Sequence, residues 1–173
     1  MARSLKSRPF CSLNGVRQTT YIHYLIQTSQ NNCMTEHQII LIKNSWKLLR
    51  NIKPAIIGDV FYSKLFVDMP QVVHLFKTPR ELQSEKLIAM LTLIVSRLHC
   101  LDELTKDIEQ LAIRHVSYGT KPEHYKAVGN ALLWTLERGL GRDWNPELKE
   151  AWSDCYNHLS STMIKAATLK LHK

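Results

Sequence analysis

The residue best placed to do chemistry is His115. It stands in Leu111-Ala112-Ile113-Arg114-His115, four residues after Leu111 and seven after Ile108, on the apolar stripe of a helical pattern. A histidine on such a stripe must satisfy its ring nitrogens, because burying an unpaired polar group is costly. Two readings are open. The ring bonds to a carbonyl as an ordinary core histidine. Or its neutral imidazole is an axial ligand to haem iron, which leaves the sixth position free for a gas. Other reactive sets are poorer. His99-Cys100 is a tempting metal pair, but neighbours on a helix point roughly 100° apart, so it is read as a helix end. The cysteines at 11, 33, 100 and 155 contain no C-x-x-C pair. That argues against a zinc ribbon or redox dithiol and suits a reducing, cytoplasmic setting. No Ser-His-Asp set, phosphate loop or paired carboxylates rises above chance.

The elements around His115 are helices. From residue 35 onward the apolar residues recur at i, i+3, i+4 and i+7. Ile39, Ile42, Trp46 and Leu49 predict a helix over about 35–50, and Ile57, Val60, Phe61, Leu65 and Phe66 one over about 53–68. A short piece follows Pro70 and ends at Leu75-Phe76. The next helix starts near Pro79 and carries Leu87, Leu91, Ile94 and Leu98. A helix over about 101–118 carries Leu104, Ile108, Leu111 and His115. Tyr125, Val128, Leu132 and Leu136 predict one over about 122–140. The last, capped by Asn145 with Pro146 behind it, runs through Leu148, Trp152, Cys155, Leu159 and Met163. Proline is tolerated where Pro54, Pro70, Pro79, Pro122 and Pro146 stand, near helix starts. Gly119 and Gly141 follow helix ends.

The chain has 173 residues, 45% hydrophobic and 22% charged, which is ordinary for one globular domain. No uninterrupted apolar run is long enough to cross a membrane. Charge is uneven. Arg3, Lys6, Arg8 and Arg17 give residues 1–33 a charge of +4 with no acid, half of the formal +8. That Arg-rich, Ser-rich, acid-poor composition resembles a transit peptide. The preferred reading is a basic, disordered extension or a start placed too early, with the domain over 34–173. Met34-Thr35-Glu36-His37-Gln38 supports it, because Thr35 with Gln38 forms a capping-box pattern ahead of an apolar run. No Lys/Arg stripe with interleaved aromatics marks a nucleic-acid face.

With these elements in place, the stretch from Leu111 to Gly119, followed by Lys121-Pro122-Glu123-His124-Tyr125 and Val128-Gly129, resembles the proximal region of bacterial single-domain globins and of the haem domain of flavohaemoglobins. The resemblance covers about residues 35–167. It implies an all-α globin fold with helices around a haem pocket, and it makes His115 the iron ligand. Phe76 falls where a phenylalanine packs against the porphyrin. Tyr62 aligns with the distal tyrosine and Gln83 with the distal glutamine. Leu87 faces the same side one turn on. Dioxygen on the iron carries negative charge, which a Tyr hydroxyl and a Gln amide would both meet as donors. Lys86 is a candidate partner for a propionate, although a surface lysine is its default reading.

Two departures narrow what the resemblance implies. Flavohaemoglobins pair the proximal histidine with a tyrosine and a glutamate. Tyr125 matches the tyrosine, but the glutamate position falls near Ala167, so strong electron donation to the iron is not expected. No flavin reductase domain follows, so turnover would need an external electron donor. The expected function is reversible dioxygen binding at five-coordinate haem b iron by a monomer or homodimer, extending to nitric oxide dioxygenation when a reductant is supplied. The rival from another class is a cofactor-free globin-like sensor or interaction module. A weaker rival is a nucleic-acid binder driven by the basic tail, which predicts steep salt dependence.

Overall fold

The computed structural model describes residues 34–171. The expected extension over 1–33 lies outside them. Among the described residues six α-helices carry the fold. Helix α1 (Glu36–Leu49) begins on the expected capping box. Thr35 Oγ1 accepts from the Gln38 backbone N–H at 3.2 Å, and Gln38 Oε1 accepts from the Thr35 N–H at 3.0 Å. Helix α2 (Pro54–Asp68) starts on proline, which lacks the amide that a first-turn residue would leave unpaired. A short 3-10 helix, Pro70–Leu75, leads to α3 (Arg80–Ser96), then α4 (Thr105–Ser117) and α5 (Pro122–Leu140). In α6 (Pro146–Leu171) the Asn145 side chain accepts from the Leu148 N–H at 3.0 Å, the cap that the sequence announces.

One boundary differs from the sequence reading. The helix expected from about 101 begins at Thr105, preceded by a 3-10 stretch, Leu98–Leu104, that leaves helical geometry at Cys100 (φ −139°, ψ 45°). Leu98, Leu101 and Leu104 are all buried. Their spacing of three suits a 3-10 turn, where residues i and i+3 eclipse. In sequence the same spacing merges with the α-helical pattern on either side. The His99-Cys100 pair therefore sits at a helix end, and His99 Nδ1 lies 3.2 Å from Glu36 Oε1.

Helix α2 packs against both α3 and α5, while α4 and α1 pack on α6. Trp46 and Trp152 meet at the centre with ring centroids 6.0 Å apart. Their indole N–H groups donate to Thr92 Oγ1 and Ser45 Oγ. Among the described residues no buried side-chain nitrogen or oxygen lacks a partner, as a well-formed core requires.

The α2–α3 crossing is set by Gly58 against Ser84. A Cβ at Gly58 would overlap the Ser84 side chain, which is fully buried and bonded back to the Arg80 carbonyl at 2.8 Å. This contact matters beyond packing, since Tyr62 lies one turn after Gly58 and Gln83 adjoins Ser84. Gly58→Ala would raise helix propensity by about 1 kcal/mol, but overpacking a tight crossing costs about 1–3 kcal/mol. The variant should unfold at lower urea than the wild type. An equal or higher midpoint would show that the crossing can relax.

Candidate functional site

Two groups of side chains make up the candidate site. The first lies where α2, the 3-10 helix and α3 meet. Tyr62 is buried, and its ring stands edge-on to Phe61 at 5.0 Å and to Phe76 at 5.4 Å. Phe66 closes the cluster, 5.9 Å from Tyr62 and 5.3 Å from Phe76. Edge-to-face packing of this kind holds rings more firmly than burial alone. The Tyr62 hydroxyl donates to the Gln83 backbone carbonyl at 3.3 Å. The bond is long, so the hydroxyl is held loosely and stays available to a better acceptor. Tyr62, Phe76 and Gln83 are thus brought together. Leu87 is half-buried against the same core, one turn beyond Gln83.

The second group is built on the end of α4. His115 is half-buried in its last turn, and its Nδ1 lies 2.9 Å from the Leu111 carbonyl. A carbonyl only accepts, so Nδ1 carries the proton and Nε2 of the neutral ring keeps its lone pair. Burial pushes the imidazole below its ordinary pKa of 6.5, the Leu111 bond works against this, and the Arg114 guanidinium adds to the lowering. The helix stops just past His115. The Thr120 N–H returns to the His115 carbonyl at 3.0 Å and the Gly119 N–H to Val116 at 3.0 Å, with Gly119 at φ +88°. This double closure needs a left-handed residue, which glycine supplies without strain. It also brings the turn against the 3-10 helix, since a Cβ at Gly119 would touch Leu75 at 3.5 Å.

Tyr125 is buried in the first turn of α5, where its own carbonyl accepts the Tyr156 hydroxyl at 2.6 Å. The His115 Nδ1 proton goes to Leu111, so the structure gives the histidine a helical carbonyl partner rather than a tyrosine–glutamate relay. Lys86 and Arg114 are exposed. Phe66, read in the sequence only as part of the apolar pattern of α2, and Arg80 were not among the site candidates. Phe66 is one helical turn after Tyr62. Arg80, whose guanidinium lies 5.5 Å from the Phe66 ring and 3.5 Å from Asp59, is one heptad before Leu87. In both cases the spacing was the available signal.

Burial pushes the Tyr62 phenol from 10.0 up to about 12, and the Arg80 charge lowers it only in part. Burial likewise carries the Cys155 thiol from 9.0 up to about 12, helped by Asp154, and raises Tyr125. The unfolded chain ionises these groups first, so their contribution to stability is complete below about pH 9 and is lost as pH rises through about 9 to 12. The urea midpoint should hold steady to about pH 9 and then fall. Cys155→Ala should make the first part of that fall shallower. A midpoint independent of pH up to about 11 would contradict the burial of these groups.

The helix order defines an all-α protein of the globin fold. A solved bacterial globin from Campylobacter jejuni superposes with a TM-score of 0.69, at 24% identity, over 80% of this chain and all of its own. The globin family profile matches residues 59–163, and the chain belongs to the globin family. Among relatives, a globin-like protein of Aquifex aeolicus is 32% identical over 133 residues, covering 76% of this chain and 92% of its own length. A flavohemoprotein of Vibrio cholerae is 29% identical over 134 residues, again 76% of this chain. The chain spans about a third of the flavohemoproteins that it matches. Haem binding comes with membership of the family.

Proposed function

We propose that His115 is the axial ligand of a b-type haem and that Tyr62 and Gln83 stand over the opposite side, with Phe76, Leu87 and Tyr125 in the walls. The observation that carries this reading is the state of His115, a neutral imidazole whose Nδ1 is committed to Leu111 and whose Nε2 is free to ligate. The walls fit a large apolar ring. Leu75, Phe76, Leu87, Leu111 and Val128 are apolar side chains left half-buried against the core, and covering such surface is the main source of affinity for a group of this kind.

Haem held by His115 would supply an iron able to bind a diatomic gas. The protein's part is to hold and shield. The raised pKa of Tyr62 keeps its hydroxyl protonated as a donor through neutral pH. A negatively polarised atom within its reach would draw it from the long bond to the Gln83 carbonyl. Such a donor in an apolar box is worth more than in water. The function is therefore reversible binding of dioxygen with slow release. The Tyr62–Gln83 pair and the flavohemoprotein relatives favour a second activity, oxidation of nitric oxide to nitrate by dioxygen, with one electron per turnover from a reductant.

The test is spectroscopic. Purified protein titrated with haem should develop a sharp, saturating Soret band that shifts reversibly when the reduced sample meets dioxygen. No specific band would overturn the reading in favour of a cofactor-free helical module. Nitrate production sustained by a reductant would establish the dioxygenase. Binding without turnover would make the protein an oxygen store or carrier.

A further inference from the structure

Arg80 opens α3 and stands at the solvent edge of the aromatic cluster. Its guanidinium lies 5.5 Å from the centre of the Phe66 ring and 3.5 Å from the Asp59 carboxylate, both on α2. The Phe66 ring in turn meets Tyr62 and Phe76. Arg80 comes three residues before Gln83 and seven before Leu87, so it shares their side of the helix. Its side chain is 45% exposed. The cation thus stands between the Tyr62 cluster and water.

The cation is held there without being neutralised. Attraction to the ring holds a guanidinium in place and leaves its charge intact. The Asp59 pair is one long contact to a carboxylate that is itself mostly exposed, and an exposed pair of this kind gains little. The next acids along α3, Glu81 and Glu85, are turned about 100° and about 140° away around the helix. Lys86 adds a second exposed cation to α3. The field also reaches inward, since the Arg80 charge acts on the Tyr62 phenol and opposes part of the effect of burial.

A cation at the edge of an apolar box treats charged and neutral ligands differently. Dioxygen and nitric oxide carry no charge for it to act on. An anion among apolar side chains is costly without a partner, and a field of one sign speeds encounter with the opposite sign. The reaction proposed above ends in nitrate, which would find no counter-charge among Phe61, Phe66, Phe76 and Leu87. A guanidinium offers an oxyanion two parallel N–H donors. We infer that Arg80 sorts small ligands by charge on the Tyr62 side of the haem. It draws in and receives small inorganic anions, the class to which nitrate belongs, and neutral gases pass without regard to it. The assignment rests on the haem reading above. Asp59 sets its strength, because its carboxylate competes with the anion for the same guanidinium.

The test compares two ligands on one iron. Azide is an anion at neutral pH and hydrogen cyanide is neutral there, and both bind ferric haem. Azide association with the haem-loaded protein should slow at least about threefold in Arg80→Gln, while hydrogen cyanide association changes by less than about twofold. Added salt should slow azide in the wild type by screening, and much less in Arg80→Gln. Arg80→Lys keeps the charge and should keep most of the azide rate. Asp59→Asn frees the guanidinium and should raise that rate. Equal slowing of azide and hydrogen cyanide in Arg80→Gln would overturn the inference, because it would mark Arg80 as a packing residue. An unchanged azide rate with an intact Soret band would overturn it too, and would leave the haem reading standing. A wild-type protein with no Soret band would overturn both. If Arg80→Gln fails to fold, salt and Asp59→Asn decide, and an azide rate indifferent to both would overturn the inference.

Discussion

Replacing His115 with alanine is expected to abolish the Soret spectrum of the haem-loaded protein while leaving the helical fold in place. Loss of a residue that merely supports a metal ligand costs about 10–100-fold in affinity, so loss of the ligand itself should cost more than about a hundredfold. The fold should survive for local reasons. His115 is half-buried in the last turn of α4, and its one side-chain bond is to a carbonyl of its own helix. Alanine is the best helix former. The closure through Gly119 and Thr120 uses backbone atoms alone and does not depend on the imidazole. Free imidazole added to the variant should therefore restore the spectrum by occupying the truncated space. A Soret band that persists in His115→Ala without imidazole would remove His115 from the iron. Far-ultraviolet circular dichroism would show whether a lost band reflects the ligand or the fold.

Tyr62→Phe should release dioxygen at least about tenfold faster, the loss of a hydrogen bond to a charged acceptor worth about 1–3 kcal/mol. The substitution is clean because the ring stays. Phe61, Phe66 and Phe76 would meet the same edges and faces. Only the hydroxyl goes, and with it one long bond to the Gln83 carbonyl. Stability should fall little, since that bond is near the limit of useful geometry. Stopped-flow displacement of dioxygen by carbon monoxide gives the rate directly. The effect should be the same from about pH 6 to 9, because burial keeps the phenol protonated to about 12. An off-rate equal to the wild type would mean that the hydroxyl never leaves Gln83. Gln83→Leu is the informative companion. It removes the amide but keeps the backbone carbonyl, so it separates the side-chain donor from the main-chain acceptor that the structure shows.

The sequence and the fold inform different parts of this site. Helix starts, and the end of α4, were legible because the signals are local. The Thr35–Gln38 box, Pro54, Pro122, Asn145 and the glycine after α4 each act within a few residues, and each is where the sequence places it. His115 stood out because a titratable ring on an apolar stripe must find a partner. The stretch Leu98–Leu104 was misread because leucines every three residues satisfy an α-helical pattern and a 3-10 turn alike. Only the turn of the backbone at Cys100 separates the two.

The assignments of Tyr62, Gln83 and Phe76 came from likeness to a family, since a lone glutamine or phenylalanine on a helix carries no signal of its own. What the tertiary structure alone decided is how these residues meet. The Tyr62 hydroxyl finds a main-chain carbonyl 21 residues away, and Gly58 lets α2 lie directly on Ser84. Local propensity and period by themselves determined which segments are helical and which face of each is apolar, because both act over one or two turns. They say nothing about the distance and angle at which two helices cross. Those depend on side-chain volumes from distant segments fitting together, and the Tyr62 donor and its acceptor lie at such a crossing.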